Sequence, residues 1–381
     1  ARAFEQVKAN RGSPGVDRQT IENYGENLVA NLGNLGEQLG LGTYQPLAIL
    51  RRWIEKEGSS EQRPLGIPTV RDRIAQAALR NVLEPIFERD FSERSYGFRP
   101  GRGCKDALRR VTELLKAGYT WVVDADIKGY FDSIPHDRLM ERVRTKVADG
   151  RVLKLIQDFL TQGVLDGLET LTPDEGTPQG AVISPLLANL YLDPLDHLMA
   201  RLGFEMVRYA DDFVILCKDE AHARQALVKV QAWMREAGLT LHPVKTRVVD
   251  VQKPGGFDFL GYHFETPEKH WPRKKSLDRF RETVRSKTGR TRGDSLAVII
   301  KDLNRSLVGW FGYFKHSFKF TFEPLDGWIR MRLRSILRKR HGMRGRGRGR
   351  DHHRWPNAYF AKLGLFSLFK AHAELCQPST R

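Results

Sequence analysis

Two adjacent aspartates, Asp211 and Asp212, lie between two short runs of β-prone residues, 204–208 and 213–217. Two such runs joined by a small polar segment predict a β-hairpin with paired carboxylates at its tip. Because adjacent aspartates repel each other, a fold keeps them together most readily beside a cation. A hard divalent metal such as Mg²⁺ can supply that cation, and two such ions can act on both oxygens of an in-line phosphoryl transfer. For these residues alone, the alternative interpretation is a solvated turn.

A second acidic segment lies earlier in the chain. Residues 121–127 are rich in β-branched and aromatic side chains, and the alternation along a strand places Asp124 and Asp126 on one face. Acids on a buried strand imply a metal or a cationic partner, because an unpaired buried charge is strongly destabilising. We expect Asp126 to be the shared metal ligand, with Asp124 and Asp132 supporting the site. The segment that follows predicts a helix capped near Ser133.

Composition limits the partners that such a chain can have. Its 381 residues, 40% of them hydrophobic, are enough for two to three packed units. The formal net charge of +17 calls for a polyanion, and nucleic acid fits better than a membrane because the sequence contains neither a transmembrane-length apolar run nor a signal-peptide pattern. The three cysteines (Cys104, Cys217 and Cys376) are widely spaced and favour a reducing cytoplasm over a disulfide framework. Since the chain starts at Ala1 and not at Met, it leaves open a preceding segment.

Three short segments resemble motifs A, B and C of reverse transcriptases, in the same order and at similar spacing: residues 126–132, 176–180 and 209–212. Within that superfamily, the chain most resembles the bacterial group II intron-encoded reverse transcriptase/maturase. Further segments that are close to that family's pattern are residues 63–69, 95–100, 176–192, 257–261 and 355–360. The resemblance extends from about residues 10–17 to near the C-terminus. Many relatives carry a C-terminal HNH endonuclease domain with paired Cys-x-x-Cys ligands, a pattern that this sequence does not contain.

The resemblance implies an α+β fold of the right-hand polymerase type, with a mainly antiparallel palm sheet and an α-helical thumb. Residues 1–115 would be the fingers, with a hairpin formed by 49–54 and 63–68. Residues 116–268 would be the palm, including a primer-gripping hairpin over 257–263, for which an ordinary hydrophobic hairpin is the alternative. Residues 269–381 would be the basic thumb, or maturase domain X.

The resemblance also implies an RNA-directed DNA polymerase that adds dNTPs to a DNA or RNA primer on an RNA template. Its cofactor would be two Mg²⁺ ions, for which Mn²⁺ can substitute, held by Asp126, Asp211, Asp212 and the main chain of Ile127. Group II intron RNA would be a further partner, for splicing and retrohoming. Primer preference and oligomeric state are not determined by the sequence.

Several more residues acquire expected roles from the same resemblance. Arg63 and Lys56 would hold the incoming triphosphate, although Lys56 is equally well interpreted as a solvated charge. Gln179 and Gly180, in the glycine-rich turn of motif B, would approach the nucleotide or the template. Ile127 and Phe131 would contact the nucleotide, and Phe131 would crowd the ribose 2′-position unless it is only a core aromatic. Lys245 would protonate the leaving pyrophosphate.

The C-terminal third changes to basic segments with apolar residues at helical spacing, which predict packed helices. Basic residues beside one of these stripes are expected to project outward: Arg330, Arg332, Arg334, Arg338, Lys339 and Arg340. Arg346 and Arg348 belong to an alternating Arg-Gly connector, a flexible pattern that favours polyanions. We predict that five residues bind nucleic acid: Arg338, Lys339, Arg340, Arg346 and Arg348. The alternative is a cationic face that only improves solubility.

Two other functions share the same motifs. One is an RNA-binding splicing cofactor in which polymerase activity is secondary. The other is a domesticated reverse transcriptase that acts in CRISPR spacer acquisition, phage defence or repair. The genomic neighbourhood would distinguish them, because an intron RNA surrounds the reading frame in one case and a defence operon in the other.

Overall fold

The computed structural model describes residues 1–55, 62–266, 269–347 and 349–377. Two predicted site residues, Lys56 and Arg348, lie outside the described residues. The chain divides into two compact units, Ala1–Asp250 and Val251–Arg381. The hairpin over 257–263 therefore belongs to the second unit, and the division into fingers, palm and thumb stays a prediction.

The first unit contains helices and strands in mixed order: α1 (Arg2–Ala9), α2 (Ile21–Glu26), α3 (Leu28–Leu41), β1 (Ile49–Glu55), β2 (Gln62–Ile67), α4 (Val70–Glu88), α5 (Cys104–Lys116), β3 (Trp121–Asp126), α6 (His136–Arg144), α7 (Gly150–Leu160), β4 (Val164–Asp166), β5 (Glu169–Leu171), α8 (Ser184–Arg201), β6 (Glu205–Tyr209), β7 (Asp212–Cys217), α9 (Glu220–Glu236) and β8 (Arg247–Asp250). The second unit contains β9 (Phe257–Phe259), β10 (Tyr262–Thr266), β11 (Lys269–Pro272), α10 (Lys274–Lys287), α11 (Leu296–Phe314), α12 (Phe322–Arg340), α13 (Asp351–Arg354), α14 (Asn357–Lys362) and α15 (Leu368–Cys376).

The central sheet of the first unit has the strand order β6-β7-β3-β8, and all its neighbouring strands are antiparallel. Its two inner strands consist largely of β-branched and other apolar residues, most of them buried, which favours a strand covered on both faces. Helices α8 and α9 pack against it. The predicted α+β class with an antiparallel sheet is therefore confirmed, and so is the hairpin around Asp211 and Asp212.

A second sheet, of order β2-β1-β4-β5, contains the predicted hairpin of residues 49–54 and 63–68. Strand β1 pairs antiparallel with β2 and parallel with β4, through Ile49 opposite Val164 and Leu50 opposite Leu165. Pro64 lies in β2 opposite Trp53 of β1. A proline is tolerated there because β2 is an edge strand of this sheet.

The helix expected to be capped near Ser133 begins later. Residues Tyr130–Asp132 form a single 3₁₀ turn, and α6 begins at His136 with Pro135 as its N-cap. The prediction was wrong because the ring of a proline disfavours the helical conformation in the residue before it, here Ile134. The Ser133 hydroxyl instead lies 3.3 Å from the Tyr130 carbonyl, to which it donates a hydrogen bond.

In the second unit, α10, α11, α12 and α15 bury their apolar stripes against one another. The tip of the β9–β10 hairpin is tied to α11, because the Tyr313 hydroxyl donates to the Leu260 carbonyl at 2.8 Å and Tyr262 donates to the Tyr313 carbonyl at 2.8 Å. Within the described part of the chain, no helix combines the length and the apolar character needed to cross a membrane.

The expectation that the basic residues of α12 project outward is wrong for Arg334. Its side chain is buried and donates to the Trp355 carbonyl at 2.9 Å and to Asn357 Oδ1 at 2.7 Å. The prediction failed because a long guanidinium can satisfy main-chain acceptors inside a core, which helical spacing does not reveal. Lys339 and Arg340 at the end of α12 are exposed, as expected.

A buried ion pair lies directly below the hairpin turn that carries Asp211. The Arg208 and Asp196 side chains are 1% and 0% exposed, with Arg208 Nη2 2.5 Å from Asp196 Oδ2 and Arg208 Nε 2.9 Å from Oδ1. Burial alone would lower the pKa of Arg208, but the charge of Asp196 offsets burial and the pKa is raised. The remaining guanidinium nitrogen donates to Asn189 Oδ1 at 3.0 Å and to the Ala210 carbonyl at 2.9 Å.

We predict that Asp196→Asn lowers the free energy of unfolding by about 3–5 kcal/mol, because it leaves the Arg208 guanidinium buried without a counter-charge. Glu220→Gln is the matched control, since Glu220 pairs with Arg224 at 2.5 Å on the exposed surface of α9. A surface pair of this kind contributes about 1 kcal/mol or less. Equilibrium unfolding in urea measures both variants, and equal losses would contradict the importance of the buried pair.

Candidate active site

The three aspartates of the predicted metal site come together at one end of the central sheet. Asp126 is the last residue of β3 and lies opposite Asp212, the first residue of β7. Asp211 occupies the turn that joins β6 to β7. Burial, and after it the negative charge of Asp126, raises the pKa of the Asp211 carboxyl. Strand register therefore brings the three aspartates to the same end of the sheet.

The turn itself has an unusual backbone conformation. Ala210 has φ of +58°, in the left-handed region that residues with a Cβ rarely adopt. Gly97 packs against this turn so closely that a Cβ there would lie 2.3 Å from the Ala210 nitrogen. Asn189 Nδ2 donates to the Gly97 carbonyl at 2.7 Å, and Arg208 donates to the Ala210 carbonyl. The conformation is thus held from two sides.

Lys245 contacts the acidic cluster directly. Its Nζ lies 2.6 Å from Asp126 Oδ2, and the His242 amide donates to the Asp126 carbonyl at 2.7 Å. The Lys245 side chain is 61% exposed, so its position depends on this contact and not on packing. Asp124, on the same strand, pairs with Arg247 at 3.2 Å. Cations therefore lie beside the acids of β3.

Carboxylate oxygens and a main-chain carbonyl are the hard ligands that Mg²⁺ and Mn²⁺ prefer, so the donor chemistry of this cluster fits a divalent cation. Ile127, whose carbonyl is the predicted fourth donor, has a buried side chain and bridges to Leu241. Among the described residues, no three His, Cys, Asp or Glu side chains lie close enough to chelate one ion. Asp126 is instead bonded to Lys245, so a metal would have to replace that contact.

The motif B loop lies between β2 and the 3₁₀ turn. Gly180 has φ of +107°, and a Cβ there would lie 2.4 Å from the Gly66 carbonyl oxygen, so only glycine allows this approach. The Gly66 amide donates to the Gln179 carbonyl at 2.6 Å. The Gln179 side chain donates to Asp132 Oδ2 at 2.9 Å. These bonds fix Gln179 beside the segment that follows Asp126.

The other two predicted nucleotide contacts lie on either side of this loop. Phe131 is half-buried, with its ring centroid 5.6 Å from that of Tyr130, and its carbonyl accepts from the Thr177 amide at 2.6 Å. Arg63 is exposed on β2, opposite Ile54. The structure thus links Phe131 to the motif B loop, and leaves Arg63 on the strand against which that loop packs.

The residues of the second unit that were predicted to bind nucleic acid differ in exposure and in the hydrogen bonds that their side chains already make. Arg338 donates to Asp351 Oδ2 at 2.7 Å and to the Arg344 carbonyl at 2.7 Å, so a phosphate would have to compete with these bonds. Arg340 is exposed and donates to the Asp294 carbonyl. Lys339 and Arg346 are exposed.

Sequence reasoning missed the residues that hold the acidic turn: Gly97, Asn189, Asp196 and Arg208. A signal was present, because Arg208 stands three residues before the paired aspartates and directly after the apolar Met206 and Val207. Asn189 and Asp196 are seven residues apart, and this spacing places them on one face of a helix.

Comparison with known proteins gives two family matches. Residues 54–264, more than half of the chain, match the model described as reverse transcriptase (RNA-dependent DNA polymerase). Residues 277–355 match the model described as group II intron, maturase-specific domain. The first match covers the acidic cluster, and the second covers most of α10 together with α11, α12 and α13.

Two curated relatives show how far the similarity extends. The group II intron-encoded protein LtrA of Lactococcus lactis subsp. cremoris is 37% identical over 208 residues, which are 54% of this chain and 34% of LtrA. Protein YkfC of Escherichia coli K12 is 34% identical over 289 residues, 66% of this chain and 75% of YkfC. The chain thus spans about a third of the length of LtrA.

Among solved structures, telomerase from Candida albicans aligns with a TM-score of 0.49 at 12% identity, covering 83% of this chain and 64% of that one. The two family models and the coverage of YkfC decide the assignment. The chain belongs to the reverse transcriptase family, and its residues 277–355 match the group II intron maturase-specific domain.

Proposed function

We propose that this protein is an RNA-directed DNA polymerase, which adds dNTPs to the 3′-hydroxyl of a DNA or RNA primer on an RNA template. The observation that carries the proposal is the strand register that sets Asp126 opposite Asp212, with Asp211 in the adjoining turn. The match of residues 54–264 to the reverse transcriptase model supports it.

The carboxylates of Asp126, Asp211 and Asp212, with the Ile127 carbonyl, would hold two Mg²⁺ ions, and Mn²⁺ could replace them. Such ions, when bound, activate the attacking hydroxyl and neutralise charge on the phosphates. The carboxylates would bind and orient these charges. Burial, and after it the charge of Asp126, raises the pKa of Asp211, and positive charge nearby would favour its ionised form.

Lys245 would act as the proton donor to the leaving pyrophosphate. Its ammonium lies 2.6 Å from Asp126 Oδ2, beside the predicted cation site. If Asp126 held a divalent cation, its contact with Lys245 would be broken and the ammonium would be available to the leaving pyrophosphate. It can then hand over the proton held at Nζ.

Nucleotide selection would use the surfaces beside the carboxylates. The exposed guanidinium of Arg63 binds the triphosphate, and Gln179 and Gly180 support the nascent base pair through the loop packed on β2. Phe131 fills the space where a ribose 2′-hydroxyl would lie. Lys56 would assist Arg63.

A second function, binding of group II intron RNA for splicing and retrohoming, is favoured by the maturase-specific match over residues 277–355. The exposed Lys339, Arg340 and Arg346 of the second unit would contact its phosphates. The formal charge of +17 supports a polyanionic partner, and three widely spaced cysteines fit the cytoplasm. Protein-assisted excision of the surrounding intron tests this function, whereas a defence operon around the reading frame would contradict it.

We predict that Asp211→Asn lowers the rate of primer extension on an RNA template by about a thousandfold or more, several kcal/mol of activation barrier. Extension by the parent chain should require Mg²⁺ or Mn²⁺. Asp137→Asn, the same change on the exposed surface of α6, should leave the rate unaltered. RNA affinity, measured separately, should persist in both variants. Near-normal extension by Asp211→Asn would remove Asp211 from the chemistry.

We predict that Phe131→Ala increases incorporation of ribonucleotides relative to deoxynucleotides, because the smaller side chain opens space beside the sugar. The ratio of kcat/KM for a dNTP and its matching NTP measures the effect, with circular dichroism as the test of folding. Unchanged sugar discrimination in a folded variant would mean that Phe131 is only a core aromatic.

We predict that Gly97→Ala slows primer extension by about tenfold to a hundredfold, since the new Cβ would lie 2.3 Å from the Ala210 nitrogen and displace the turn. Gly150→Ala is the control, because a Cβ at Gly150 meets nothing within 4 Å. Single-turnover extension at saturating template separates this effect from weaker RNA binding. Equal rates for the two variants would argue against a role of Gly97 in holding the turn.

A further inference from the structure

A small cavity of about 190 Å³ lies in the second unit, between the C-terminal end of α10, the middle of α12 and the Arg-Gly connector. Its principal lining residues are Arg285, Arg290, Trp328, Met331, Arg332 and Arg346. All of them fall within the maturase-specific match, but only Arg346 was expected from the sequence to bind nucleic acid.

Positive charge dominates this cavity. The lining includes four guanidinium groups and no carboxylate. The nearby acids are engaged elsewhere, since Asp302 bonds Lys287 at 2.6 Å and Arg292 at 2.9 Å, and Asp294 bonds Arg292 at 2.6 Å. The cavity therefore attracts anions.

Arg332 is held in place at the back of the cavity. Its Nε donates to Thr288 Oγ1 at 2.6 Å, and its Nη2 donates to the Thr288 carbonyl at 3.0 Å. Burial, with the charges of Arg285 and Arg290 after it, lowers the pKa of Arg332. The protein thus holds like charges together at a cost that a bound anion would relieve.

Trp328 organises two of these cations. The guanidinium carbons of Arg285 and Arg332 lie 5.9 Å and 5.8 Å from the centroid of the Trp328 ring. Both distances are within the range of cation–π attraction, which orients a guanidinium without neutralising it. The forks are therefore pre-positioned for a ligand.

The connector completes the cavity. Gly347 is buried, and its amide donates to Ser335 Oγ of α12 at 3.2 Å, which anchors the segment on that helix. This anchoring differs from the flexibility expected of an Arg-Gly repeat. It places the neighbouring Arg346, an exposed residue, at the cavity mouth.

We propose that this arginine cavity binds a backbone phosphate of a single RNA strand, with Arg285, Arg290 and Arg346 as its direct contacts. Guanidinium forks match the paired oxygens of a phosphodiester, and a cavity of about 190 Å³ admits one such group but not a duplex. The charged surface continues through the exposed Lys339 and Arg340 at the end of α12, which favours a strand over a small anion. This inference rests on the proposed RNA partner and specifies where it is held.

The first test compares two double variants of the full chain that remove equal charge. Arg285→Gln with Arg290→Gln empties the cavity of two cations, whereas Lys301→Gln with Arg305→Gln removes two cations from α11. The probe is a fluorescein-labelled single-stranded RNA, titrated by anisotropy at several KCl concentrations. The cavity variant should bind several-fold more weakly, and its log-log salt slope should shrink by about 0.7 for each phosphate that it no longer neutralises. Equal slopes for the two variants would overturn the proposal.

The second test locates the binding site without a substitution. Phenylglyoxal modifies accessible arginines, and bound RNA should protect Arg285, Arg290 and Arg346 but not Arg305, as read by mass spectrometry. Protection by inorganic phosphate alone, with no protection by the RNA, would overturn the assignment to a strand. Neither test requires nucleotide addition, so a chain that extends primers but shows no protection contradicts the cavity alone. A chain that shows protection but no extension contradicts the polymerase alone.

Discussion

Beneath the acidic turn, the guanidinium of Arg208 is bonded at once to the Asp196 carboxylate, the Asn189 amide oxygen and the Ala210 carbonyl. This buried cation ties α8 to the β6–β7 hairpin and holds the strained residue that presents Asp211. The close approach of Gly97 supports the same turn from the other side. The position of the predicted metal ligands therefore depends on residues outside the proposed cation site.

Two ion pairs near the site differ in how easily they can exchange partners. The Arg208–Asp196 pair is buried and fixed, because breaking it would leave an uncompensated charge in the core. The Lys245–Asp126 pair is largely exposed, so water screens it and it can exchange for other partners at small cost. A fixed buried ion pair beneath an exposed ion pair fits the proposed site, in which the carboxylates stay in place while substrates and cations exchange.

Much of this arrangement could be predicted from the sequence. Alternation along residues 121–127 correctly placed Asp124 and Asp126 on one strand, and the motif order anticipated the loop around Gly180. Contacts between segments distant in the sequence, such as the close approach of Gly97 to Ala210, could not be predicted. Burial of Arg334 depends on the acceptors that its guanidinium finds, and the start of α6 at His136 depends on Pro135 at the helix N-cap. Hydrophobic periodicity encodes neither.

We propose that Asp126, Asp211 and Asp212 form one site for divalent cations. Electron paramagnetic resonance of free Mn²⁺, titrated against the protein with a bound RNA–primer duplex, measures the number and affinity of bound ions most directly. We predict that the parent chain binds Mn²⁺ and that Asp126→Asn combined with Asp212→Asn abolishes this binding, while Asp137→Asn keeps it. Identical Mn²⁺ binding by all three proteins would contradict a shared cation site.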